Sequence, residues 1–150
     1  MPIFATQSRE QLRQMYLASW RKFQAQLPLQ PLEKQVAAVI AEHPEYIPWL
    51  EGAEDVLHAE FTPEGGRENP FLHMGMHLAL REQLSTDRPA GFAALHRRLC
   101  EHFGDAHQAE HALLTPLAET LSEAQRAGRA PDDLDYLRRV EALVARLTRG

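Results

Sequence analysis

The chain has 150 residues, with 16 Lys+Arg against 21 Asp+Glu for a formal charge of −5, and its 44% hydrophobic and 25% charged content is that of one globular domain spanning 1–150. Only two lysines occur, Lys22 and Lys34, and the arginines are interleaved with acids, so there is no basic stripe for a phosphate backbone and nucleic acid is not an expected partner. The longest apolar run, Val36 to Ala41, is far short of the ~20 residues that span a bilayer, and a single cysteine, Cys100, with no signal-like start points to a cytosolic protein without an internal disulfide.

Apolar periodicity is helical nearly everywhere and strand-like alternation is absent, which predicts an all-α bundle of about six helices. The first runs from a cap at about Ser8 to Leu27, with Leu12, Tyr16, Trp20 and Phe23 as its apolar stripe and Pro28 as its stop. The second starts at Pro31 and carries Leu32, Val36, Val39, Ile40 and His43 on one face; it ends at His43, because a proline at 44 disfavours helical dihedrals in the residue before it. Residues 44–68 hold Pro44, Pro48, Pro63, Gly52, Gly65 and Gly66 and read as a long loop with a short helix near Ala53 to Glu60. Eight carboxylates fall between Glu42 and Glu68, a charge run that solvation of a loop explains.

Asn69 followed by Pro70 starts a third helix, which continues to about Leu84. A fourth spans Pro89 to Phe103 with Phe92, Leu95, Leu99 and Phe103 inward, closed by Gly104. Asp105 caps a fifth, which runs to Ala127 with Gly128 as its stop and Pro116 as an interior kink. The sixth extends from Pro131 to Leu147 with Leu134, Leu137, Val140, Val144 and Leu147 inward.

Eight histidines are present, and two pairs share the spacing H-x-x-x-H: His73 with His77, and His107 with His111. Random placement of eight histidines gives roughly 0.4 such pairs, so two are an excess. Residues four apart stack on one helix face and can aim two imidazoles at one ion. On a helical wheel Met76, His77, Leu80 and Leu84 fall within about 60° of His73, and Glu110, His111, Leu114, Ala118 and Leu121 within about 60° of His107, so both pairs are expected to face the core. Short connections make the third and fifth helices parallel neighbours, which places both pairs, and His43, at one end of a four-helix core.

Four neutral imidazoles converging in an apolar interior are costly unless a cation or carboxylates satisfy them. The expected cofactor is therefore a transition-metal ion, zinc, iron, manganese or nickel, bound by His73, His77, His107 and His111, with His43 as a fifth ligand and one or two ions per site. Glu110 is the carboxylate best placed by the wheel and is the candidate base acting on a metal-activated water. Glu82 and Glu119 point about 180° and 120° away from the paired histidines and are expected only to support the ligands. The activities consistent with this are a metal-dependent hydrolase or transferase, or a metal or redox sensor, taking a metal ion or small molecule. The alternative is a metal-free interaction protein with a buried histidine network. His58, His96 and His102 have no assigned role, and Cys100 reads as a packed thiol rather than a nucleophile. No phosphate-binding glycine loop, G-x-S-x-G or C-x-x-C occurs, and His58-Ala59-Glu60 lacks the cysteine half of a deaminase signature.

The segments HPEY (His43 to Tyr46), NPFLHMGMH (Asn69 to His77), REQLSTDRP (Arg81 to Pro89), GDAHQAEH (Gly104 to His111) and AQRAG (Ala124 to Gly128) together resemble the bacterial family catalogued as domain of unknown function 1841. The resemblance covers nearly the whole chain, brings no activity, and implies that His43, His73, His77, His107, His111, Glu82, Glu110 and Glu119 are motif positions. More loosely, histidines drawn from several helices are similar to hemerythrins and to the DinB group of metal-dependent hydrolases and transferases. The last helix lacks the histidine and aspartate of the hemerythrin pattern, whereas His43 with one H-x-x-x-H pair matches a three-histidine open site.

Overall fold

The computed structural model describes residues 9–51 and 69–149. Among these, six helices carry the fold and no strand occurs: α1 (Arg9–Gln24), α2 (Pro31–Ala41), α3 (Pro70–Thr86), α4 (Phe92–Phe103), α5 (Ala106–Ala127) and α6 (Asp133–Thr148). A 3-10 turn at Pro44–Tyr46 and a single helical turn at Ile47–Leu50 follow α2. The protein is all-α, as its periodicity predicts. No helix among the described residues is long and apolar enough to cross a membrane. The expected cap at Ser8, the short helix near Ala53 to Glu60, His58 and most of the acidic run lie outside the described residues.

Local chemistry sets the helix ends. Asn69 Oδ1 accepts from the amides of Phe71 and Leu72 at 3.0 and 3.3 Å and so caps α3. Asp105 caps α5 by accepting from His107 N at 2.9 Å, and Gly128 ends the same helix in the left-handed conformation at φ +66°. Several predicted boundaries move, α2 ending at Ala41 rather than His43 among them. α1 stops at Gln24 rather than Leu27, because Gln26 turns left-handed (φ +58°) and the amides of Gln26 and Leu27 close on Phe23 O and Lys22 O at 3.1 and 2.9 Å. This Schellman closure satisfies the last carbonyls before Pro28 is reached. α4 begins at Phe92 rather than Pro89: the Asp87 carboxylate accepts from Gly91 N and Ala93 N, two donors that hold its carboxyl below the ordinary range. α6 begins after Asp132, whose side chain accepts from Leu134 N and Asp135 N.

Contacts gather into two compact units, Met1–Leu78 and Ala79–Gly150, with the division falling inside α3. In the first unit Tyr16, Leu17 and Trp20 of α1 pack with Val36, Ala37, Val39 and Ile40 of α2, Leu50, and Phe71, Met74 and Leu78 of α3. Phe23, expected in that stripe, is 47% exposed and stacks on the outer face of Trp20. Phe71 anchors the start of α3, with its ring 5.4 Å from that of Tyr16 and the buried guanidinium of Arg13 4.8 Å from its centroid. This contact sets the phase of α3. Relative to the buried set Phe71, Met74 and Leu78, His77 lies about 60–120° around the helix and His73 about 100–160°. Accordingly His77 is buried and His73 half-buried.

In the second unit α4, α5 and α6 pack pairwise around Phe92, Leu99, Leu113, Leu117, Val140 and Val144. Tyr136 stacks beside Phe92 and donates to Gln83 Oε1 at 2.6 Å. Leu134, expected inward, is 56% exposed, and Tyr136 takes the buried place on that turn.

Candidate functional site

The first unit brings three histidines together. His43, His73 and His77 each offer a ring nitrogen, and these atoms lie within 4.8 Å of one another. The ring centroids form a near-equilateral triangle: 5.1 Å for His43–His73, 4.7 Å for His43–His77 and 4.8 Å for His73–His77. His43 is 3% exposed and His77 0%.

Each histidine is aimed by its local backbone. α2 ends at Ala41, and His43 leaves the helical region at φ −127°, ψ 64°, as the following proline requires. The amide of His43 closes on Ile40 O at 2.9 Å, which leaves Val39 O to accept from His43 Nδ1 at 2.7 Å. A carbonyl only accepts, so Nδ1 carries the proton and Nε2 of the neutral ring is the lone-pair nitrogen. This second hydrogen bond is the arrangement that orients a metal-ligating imidazole. On α3, His77 Nε2 and His73 Nε2 are 3.1 Å apart. One of the two donates to the other in the absence of a cation. With metal–nitrogen bonds of ~2.05 Å, a 3.1 Å separation subtends roughly 100°, between octahedral and tetrahedral bite angles. Moving the shared proton to the far nitrogen frees both lone pairs without changing the proton count. The cluster has the nitrogens and spacing to hold a metal ion.

Tyr46 stands beside it, absent from the expected ligand set although it lies in the HPEY segment. Its ring is stacked on that of His43, 5.5 Å between centroids at 3° between planes, and is edge-on to His73 at 6.2 Å. A histidine, a proline and an aromatic residue at the third position after the histidine are the available signal, since side chains at i and i+3 eclipse in a 3-10 turn.

The other nominated residues belong to the second unit. His107 and His111 do form a pair, with ring centroids 4.4 Å apart, but both are exposed, against the expectation that they face the core. α5 has two apolar stripes, and the one chosen by the core is Ala109, Leu113, Pro116, Leu117, Thr120 and Ala124. The stripe shared with the histidines is only partly covered, and its Leu121 is 38% exposed. Within the first unit the clustered histidines come from α3 and the turn after α2, and the expected four-helix metal core is not confirmed. Glu110 is largely covered and accepts from Arg81 Nε at 3.3 Å, a pairing the wheel did not reveal because Arg81 lies on another helix. Glu82 is exposed, as its wheel position predicts. Glu119 is exposed and reaches Arg139 at 3.9 Å, within a group in which Arg139 also holds Glu123 and Asp135.

Cys100 lies beside His96, with Sγ 3.6 Å from Nε2. Burial, then the charges of Asp105 and Glu101, push its thiol above the usual range, while burial pushes the His96 imidazole down against the opposing charge of Glu110. Both shifts favour the uncharged forms, which suits a packed thiol better than a nucleophile. At pH 7.5 Cys100 should alkylate with iodoacetamide at least ~3-fold more slowly than free cysteine. A rate equal to or above that of free cysteine would contradict this assignment.

A family model described as domain of unknown function (DUF1841) matches residues 8–142. No curated protein and no solved structure matches the chain. The looser likeness to hemerythrins and to the DinB group gains no support from these comparisons.

Proposed function

The chain belongs to the DUF1841 family, and from that premise we propose that it is a metal-binding protein whose ion is held by His43, His73 and His77. The observation that carries the proposal is the 3.1 Å spacing of the two Nε2 atoms on α3 beside a third imidazole whose far nitrogen is already committed to Val39 O. Three neutral ligands leave the full charge of a divalent ion uncompensated, which favours anions and polarises bound water. Imidazole donors select zinc, iron or nickel ahead of manganese, magnesium or calcium.

The ligand of this site is a metal ion and, at its open position, a small molecule, in keeping with a cytosolic bacterial hydrolase, transferase or sensor and with no role for nucleic acid or membrane. Glu110, the carboxylate expected to act as base, pairs with Arg81 within the second unit and, like Glu82 and Glu119 there, is given no part in this site.

Elemental analysis of protein purified without a histidine tag tests the proposal. The expected result is close to one equivalent of a transition metal, or uptake of added Zn(II) to that level. Less than about 0.2 equivalents with no uptake would overturn it. The competing reading is a metal-free histidine network, favoured by the His73–His77 hydrogen bond, which satisfies both nitrogens without a cation. Under that reading a chelator leaves thermal stability unchanged.

A further inference from the structure

We propose that Tyr46 is a positioning residue for the ligand His43, so that the segment His43-Pro44-Glu45-Tyr46 works as one ligand-presenting turn; this rests on the metal-binding reading above. Pro44 does two things. It expels His43 from the helical region, which frees the His43 ring to turn back on Val39 O, and it starts the 3-10 turn Pro44–Tyr46. The amide of Tyr46 then closes on His43 O at 2.9 Å. A three-residue repeat places the side chain at 46 over that at 43, and the two rings are parallel within 3°.

An imidazole has two torsions to fix before its nitrogen points at an ion. The Nδ1–H bond to Val39 O aims the ring edge, and a flat ring lying against its face opposes rotation about the second torsion. The same Tyr46 ring is edge-on to His73, 6.2 Å away, so it bounds the ligand cluster on the side of the turn. A ligand held this way loses less freedom when it binds, and groups that orient metal-bound histidines commonly change affinity by ~10–100-fold when removed.

The test uses the full chain and Co(II), whose visible absorption reports its coordination. Tyr46→Ala is expected to weaken Co(II) binding by ~10-fold or more. Tyr46→Leu, which keeps apolar bulk without a flat ring, should lose as much, and Tyr46→Phe should stay within about twofold of the parent because the stack survives. In a His43→Ala background, Tyr46→Ala should cost nothing further, since its effect is exerted through the His43 ring. Unchanged binding by both Tyr46→Ala and Tyr46→Leu would overturn the inference. So would an equal loss in the His43→Ala background, which marks general damage to the turn. A parent chain that binds no Co(II) would instead remove the metal-binding reading beneath it.

Discussion

Replacing His77 by glutamine is expected to lower bound transition metal from about one equivalent to under ~0.1 and to weaken Zn(II) affinity by ~100-fold or more. The magnitude follows from the size of the whole interaction. Structural zinc sites contribute about 10–16 kcal/mol over four ligands, so one ligand accounts for roughly 3 kcal/mol, or more than two decades of affinity. His77 is the member of the trio with no solvent exposure, so no water-filled path lets another side chain take its place. Glutamine preserves most of the volume and a polar terminus near His73, which keeps α3 packed, whereas alanine would add a cavity cost of ~2–3 kcal/mol and confuse folding with binding. The same substitution at His107, exposed on α5, should change metal content by less than twofold. Elemental analysis with urea denaturation in the presence of a chelator separates the two effects. Full metal occupancy in the His77→Gln protein would exclude the His43–His73–His77 site.

Features with local causes were legible in the sequence. Asn69-Pro70 and Asp105 start α3 and α5 where short-range capping chemistry puts them, and the H-x-x-x-H spacing at 73 and 77 does bring two nitrogens to 3.1 Å. His43 was legible through Pro44, which ends a helix without help from tertiary contacts. Features decided by packing were not. α5 offers Ala109, Leu113 and Leu117 on one side and Leu114, Ala118 and Leu121 on another, and a wheel cannot choose between two apolar stripes. The core took the first, and with it turned His107 and His111 outward. The end of α1 was misplaced for a related reason: nothing in the composition of Gln24-Ala25-Gln26 announces a left-handed turn, and the proline three residues on is the louder signal. Tyr46 escaped because helical periodicity does not apply to a 3-10 turn, and Arg81 because an ion pair between helices leaves no trace in spacing.

Chelating the metal from the purified protein is expected to lower its melting temperature by about 5–10 °C. An ion present at ~100 times its dissociation constant contributes ~2.7 kcal/mol, and each kcal/mol moves a chain of this size by ~2–4 °C. The loss has an address. His43 follows α2 and is tied to its last turn through Val39 O, while His73 and His77 lie on the first two turns of α3. The ion would therefore cross-link two stretches separated by the chain from 44 to 72, and its removal should speed amide exchange at residues 39–47 and 70–78 by tenfold or more. α5 and α6, in the second unit, should exchange at unchanged rates. Indifference of both melting temperature and exchange to the chelator would favour the metal-free histidine network, in which the His73–His77 hydrogen bond is the final arrangement and not the resting form of a metal site.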